Sequence, residues 1–179
     1  MEFSRFKHAS FWAVWAIAGL VFVLDRWSKA WAVQELALVP TKPLLGEWLR
    51  LTYVRNTGVA FGLGAGRGLP FAAITVIALV LVIALTLSHK SRTWPRSIAL
   101  GLIVGGAAGN LLDRVRWGSV IDFIDFGYRQ NWWPVFNAAD SAISVGVVMF
   151  ALTLLTEGGG KNERKSHLPD PDGGPGPAA

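Results

Sequence analysis

With 179 residues, 52% of them apolar and only 16% charged, the chain is too apolar and too poor in charge for an ordinary soluble domain. It has no cysteine, which excludes disulfides, a thiolate nucleophile and cysteine-based metal sites. A formal net charge of +5 would suit nucleic acid. However, the basic residues form no face and do not interleave with aromatics; they flank apolar runs, as in membrane proteins.

Residues 1–10, MEFSRFKHAS, form a short basic head. The next run begins at Phe11 and, with DRWSKAWAV, reaches Val33. A spanning helix needs about 20 residues, so a first span is predicted over about 11–33, with Asp25, Arg26 and Lys29 in it or close beside its end. A secretory signal peptide would share the basic head and apolar core. The run has no clean small-x-small cleavage site and meets charge, so it reads as a retained span. Residues 34–68 are not membrane-like. Pro40, Pro43 and Gly46 punctuate their start, EWLRLTYV alternates with period two, and a Gly-rich turn region follows. These are strand and turn signals, and a small extramembrane β cradle is expected.

The stretch Leu69–Ser88 carries no charge and is the clearest span. After a short basic turn a third span is predicted over about 97–113, with Gly101, Gly105 and Gly109 on one stripe where a neighbouring helix can approach. The segment SVIDFIDFGY then reads as a short amphipathic helix lying in the interface. A fourth span is predicted over about 135–156, repeating the small-residue spacing at Ala138, Ala142 and Gly146. Residues 158–179 are rich in Gly, Pro and charge, and are expected to be a disordered tail. The expected fold is therefore an all-α integral membrane protein. Residues 1–157 form one domain of four transmembrane helices, with a small extramembrane β cradle and a short interfacial helix.

Four spans put both termini on one side. That side holds eight Lys and Arg against nine on the other, so the positive-inside rule barely discriminates. Many basic residues of the second side stand next to carboxylates, as if committed to a site, which favours cytoplasmic termini.

The chemistry concentrates between Gly109 and Asp140, where Asp113, Asp122, Asp125 and Asp140 fall. Asp140 lies inside the last apolar run, and a charge at membrane depth costs ~2.5–3.5 kcal/mol on insertion scales, so one that is kept usually has a job. Asn110 and Asp113 share a helix face, as do Asn137 and Asp140. Helix capping accounts for Asn137, but leaves Asp140 on a face open towards a neighbour. Asp122 or Asp125 becomes a catalytic candidate only by coming near Asp140. Asp25 and Lys29 form an i,i+4 pair, architectural in the first instance. His8, His89 and His167 all fall on the terminal side, which argues against a His metal site or a Ser-His triad beside Asp140. Two carboxylates meeting at the edge of a bilayer suggest aspartyl acid–base chemistry. A small transporter relaying ions through carboxylates and an assembly factor held by glycine stripes are the alternatives. The first lacks convincingly repeated halves, and the second leaves Asp122 and Asp140 unexplained.

Five blocks, DRWSK at 25–29, RNTGVAFG at 55–62, GGAAGNLLDR at 105–114, VIDFID at 120–125 and FNAADSAI at 136–143, together resemble the lipoprotein signal peptidase (signal peptidase II) family. The resemblance implies a bacterial inner-membrane aspartyl endopeptidase with cytoplasmic termini and an active site at the outer face. Its substrates would be diacylglyceryl-modified prolipoproteins, cut just before the lipidated cysteine, with membrane lipid around the site and no metal or organic cofactor. Carried over by motif, Asp122 and Asp140 are the catalytic pair. Asn56, Asn110, Arg114 and Asn137 fall where substrate is positioned or the pair oriented. Asp25, Lys29 and Asp113 fall on supporting positions, and a direct catalytic role for Asp113 stays open.

Overall fold

The computed structural model describes residues 2–39, 41–58, 76–77, 79–80, 82–84 and 93–166, with side chains described from Ser10 to Thr156 of those. Three long helices dominate: α1 (Glu2–Leu36), α2 (Trp94–Trp117) and α3 (Ala138–Ser166). Each contains a stretch long and apolar enough to cross a membrane, at Ser10–Leu36, Trp94–Trp117 and Ala138–Thr156. The predicted span 69–88 lies mostly outside the described residues; those described within it, 76–77, 79–80 and 82–84, are helical. The Gly-rich region is described only as far as Gly58.

Helix α2 is the central element, packed against α1 on one side and α3 on the other. Its small residues permit this. A Cβ on Gly105 would stand 2.5 Å from the Ala18 carbonyl oxygen of α1, so only glycine lets the two backbones approach so closely. Helix α2 ends at Gly118, whose φ of 66° is left-handed and whose N–H donates to the Arg114 carbonyl at 3.0 Å. That C-cap geometry favours glycine, and the chain enters a strand two residues later.

The strand is a correction to the expected interfacial helix. Residues 120–128 form β3 (Val120–Tyr128), the third strand of a four-stranded antiparallel sheet with β1 (Lys42–Leu45), β2 (Leu49–Asn56) and β4 (Asn131–Trp132), in the order β1-β2-β3-β4. The run VIDFIDF is β-branched and aromatic at most positions, which suits a pleated, half-buried surface, and β2 supplies a partner from Leu49↔Phe126 to Asn56↔Val120. The expected β cradle at 34–68 is thus β1 and β2, completed by chain from after α2. Beneath the sheet Leu51 and Phe123 pack on Ala32 and Leu36 of α1, with Trp31 edge-on to Phe123, so the cradle is seated on the end of the first helix.

Helix α3 runs on through 158–166, nine residues into the segment expected to be disordered, and 167–179 lie outside the described residues.

Candidate active site

The chain leaving β4 returns to the sheet before it becomes α3. Phe136 bridges Ile124, its N–H donating to the Ile124 carbonyl at 3.0 Å and its own carbonyl accepting from Ile124 N–H at 2.8 Å. Asn137 is therefore held beside Asp122 at the start of α3. Its Oδ1 accepts from Asp140 N–H at 2.9 Å, and Asp140 Oδ2 accepts from Asn137 N–H at 3.2 Å. This is a reciprocal capping box with Asp in place of the usual Glu. With Oδ1 committed to the cap, the side-chain amide turns its Nδ2 to Asp122 Oδ1, 2.6 Å away. One fully buried asparagine thus holds a carboxylate from the strand and a carboxylate from the helix.

Each carboxylate has a second donor. Asp122 Oδ2 accepts from Asn56 Nδ2 of β2 at 2.9 Å, and Asn56 is itself oriented by accepting Gly58 N–H at 3.0 Å. Asp140 Oδ1 accepts from Asn110 Nδ2 of α2 at 2.7 Å, and Asn110 Oδ1 accepts from Lys29 Nζ of α1 at 2.8 Å. Burial is the largest influence on Asp122 and pushes its carboxyl up to about 6; Asn56's hydrogen bond opposes this, the charge of Asp140 adds to it, and Asn137 and Lys29 pull it back. A carboxyl that titrates near neutrality beside a second carboxylate is the arrangement in which two acids share a proton.

Both carboxylates line a cavity of about 390 Å³ with Arg114, and Trp133, Phe136 and Ile143 give it apolar walls. Among the described residues Arg114 forms no ion pair. Its guanidinium lies near enough to Asp140, Asp122 and Asp113 to interact electrostatically with all three.

Behind the cavity lies a buried ionic cluster. Lys29 Nζ stands 3.0 Å from Asp25 Oδ1 and 2.9 Å from Asp113 Oδ2, while Asp113 Oδ2 also accepts Ile121 N–H at 3.4 Å. Gly109 leaves the room this needs, since a Cβ there would strike the Asp25 carboxylate. The sequence candidates are therefore brought together. Asp122, Asp140, Asn56, Asn110 and Asn137 form one hydrogen-bonded cluster, Arg114 lines the same cavity, and Lys29, with Asp25 and Asp113 behind it, supports Asn110.

Asp125 is drawn elsewhere. Three residues apart on a helix, it and Asp122 would have shared a face; on a strand they point to opposite faces. Asp125 accepts from Arg50 Nε at 2.5 Å and Thr52 Oγ1 at 2.9 Å, and Arg50 lies 3.5 Å over the Trp132 ring. Sequence reasoning missed Arg26, whose NH2 lies 2.7 Å from Asp25 Oδ2 and whose NH1 lies 2.5 Å from Asp113 Oδ1. The only signal was its place inside DRWSK, because its second partner is 87 positions away.

Residues 17–156 match the family model described as Signal peptidase (SPase) II. The lipoprotein signal peptidase of Syntrophomonas wolfei is 43% identical over 146 residues, covering 80% of this chain and 93% of that protein. The lipoprotein signal peptidase of Syntrophus aciditrophicus is 38% identical over 143 residues, covering 77% and 89%. A bacterial membrane enzyme solved by the in meso method at 2.3 Å has a TM-score of 0.75 at 29% identity, covering 83% of this chain and 90% of that one. The matched segment holds every candidate from Asp25 to Asp140, and the chain belongs to the signal peptidase II family, peptidases that remove the signal peptides of prolipoproteins.

Proposed function

We propose that Asp122 and Asp140 are the catalytic pair, and that the substrates are prolipoproteins already carrying diacylglycerol, cut just before the lipidated cysteine. One observation carries the assignment of the pair: Asn137 binds both carboxylates, and both line one cavity at the end of helices of membrane-spanning length. Asp122, pushed up to about 6, holds the shared proton. Asp140 receives two N–H donors at the start of a helix and acts as the base. It takes a proton from a water between the pair as that water adds to the scissile carbonyl, and Asp122 gives its proton to the carbonyl oxygen. Collapse of the tetrahedral adduct returns a proton to the leaving amine. Arg114, which forms no ion pair among the described residues, positions the substrate backbone at the cavity.

In this reading the run 69–88 supplies a fourth span, the termini are cytoplasmic, and the sheet lies at the outer face, where the substrate's lipid chains stay in the bilayer beside the cavity. Cleavage of modified against unmodified prolipoprotein by the purified enzyme in lipid tests the substrate. The modified form is expected to be cut far faster, and equal rates would remove the requirement for lipid. The absence of native cysteine allows a clean topology test with Lys42→Cys and Arg92→Cys and an impermeant thiol reagent. Position 42 is expected to label from outside and position 92 is not; the reverse would invert the orientation.

A further inference from the structure

Four charges in the membrane-spanning helices close into a ring. Arg26 bridges Asp25 and Asp113 on one side, at 2.7 and 2.5 Å, and Lys29 bridges the same two carboxylates on the other, at 3.0 and 2.9 Å. The ring is neutral, with two cations and two anions in alternation. Asp25 and Asp113 are wholly buried and the Lys29 side chain is 2% exposed, whereas Arg26 at 24% is the ring's one opening towards the outside. Among the described residues Asp25 Oδ1 accepts no hydrogen bond, and its contact with Lys29 is an ion pair.

The ring touches the proposed catalytic pair at two points. Lys29 donates to Asn110, which donates to Asp140. Asp113 accepts from the backbone N–H of Ile121, the residue before Asp122. We infer that Arg26 is a positioning residue, which keeps the ring neutral and leaves Lys29 free to hold Asn110, so that the geometry and the shared proton of Asp122 and Asp140 both depend on it. The inference rests on the reading of those two aspartates as the catalytic pair.

Without Arg26 the ring carries one net negative charge in a site shielded from water. Lys29 is drawn onto the two carboxylates and its hold on Asn110 weakens. The charged groups facing the pair are Asp25, Arg26 and Lys29 from α1 and Asp113 and Arg114 from α2, while β2 contributes the uncharged Asn56. Together these groups carry a net charge of +1, which loss of Arg26 lowers to zero; the surroundings of the two acids become less positive and their affinity for protons rises.

The test is the pH dependence of kcat/KM on diacylglyceryl-modified prolipoprotein for the purified full chain in lipid. Arg26→Gln is expected to lower kcat by about 10²-fold, the effect of a misplaced catalytic group, with little change in KM, and to move the acid limb to higher pH by about one unit. Arg26→Lys keeps the charge but cannot span both carboxylates, so its limb stays with the parent's while kcat falls in part. Arg26→Gln combined with Asp25→Asn makes the ring neutral again and is expected to bring the limb back; it also serves where Arg26→Gln alone does not fold. A limb left in place by Arg26→Gln, or moved equally by Arg26→Lys, or failure of the double variant to fold or to restore the limb, overturns the inference. Turnover by Asp122→Asn or Asp140→Asn would instead sink the underlying assignment of the pair.

Discussion

Asn137 donates its side-chain N–H to Asp122 across 2.6 Å while the same residue caps the helix that carries Asp140. Bridge and cap are separable by substitution. Asn137→Ala loses both, and the expected result is a loss of about 1 kcal/mol of stability from the cap and about 10²-fold or more in kcat from a misplaced carboxylate. Asn137→Ser keeps a capping oxygen but has no amide for Asp122. It is expected to recover the stability and not the activity, as read from thermal unfolding in detergent beside a cleavage assay.

Asp122 makes stability depend on pH. Its carboxyl is raised from 3.8 to about 6 in the folded protein, so the native state holds this proton where the unfolded chain has released it. The stability contributed by the neutral form is fully present below about pH 4 and is lost as pH rises through about 6, a total of about 3 kcal/mol. The Asp122→Asn variant has no such ionisation. Unfolding measured across pH 4–7.5 is expected to show its stability rising relative to the parent by about that amount; a difference independent of pH would contradict the burial argument.

Asp125 works in the sheet. Asp125→Asn weakens the contacts to Arg50 and Thr52, and a loss of about 1–3 kcal/mol is expected for donors left poorly satisfied near a buried acceptor. Turnover of the folded fraction should remain close to the parent's. Abolished turnover in a well-folded Asp125→Asn protein would bring this aspartate back into the active site.

Gly109 is a packing residue with a functional neighbour. Gly109→Ala places a methyl group against the Asp25 carboxylate, and overpacking of this kind costs about 1–3 kcal/mol. A lower unfolding temperature together with reduced kcat is the expected signature, because the displaced Asp25 belongs to the ring behind Asn110.

The three described helices could be read from the sequence because their apolar runs are long enough to cross a bilayer, Asn137 because a helix cap is local, and Asp140 because it is a charge inside an apolar run. The fate of Asp122 and Asp125 was not local. SVIDFIDFGY reads as an amphipathic helix on its own, and only the partner strand β2, more than 60 residues earlier, makes the segment a strand and so sends the two aspartates apart. Arg26 was hidden for a related reason. Its local partner is the adjacent residue, which helix spacing rules discount, and its second partner enters from another helix. Lys29 was legible as the i,i+4 partner of Asp25, but its bond to Asn110, the one that matters for Asp140, was not.

The most direct test of the account is cleavage of diacylglyceryl-modified prolipoprotein by the parent, Asp122→Asn, Asp140→Asn, the double variant and Asp113→Asn, each confirmed as folded and inserted. Groups that act as one unit are strongly non-additive, so each single dyad variant is expected to lose about as much turnover as the double one. Asp113→Asn is expected to lose activity through damaged geometry, with lower stability as its mark. Near-normal turnover by Asp122→Asn alongside a stable, inactive Asp113→Asn would contradict the account and make Asp113 the partner of Asp140.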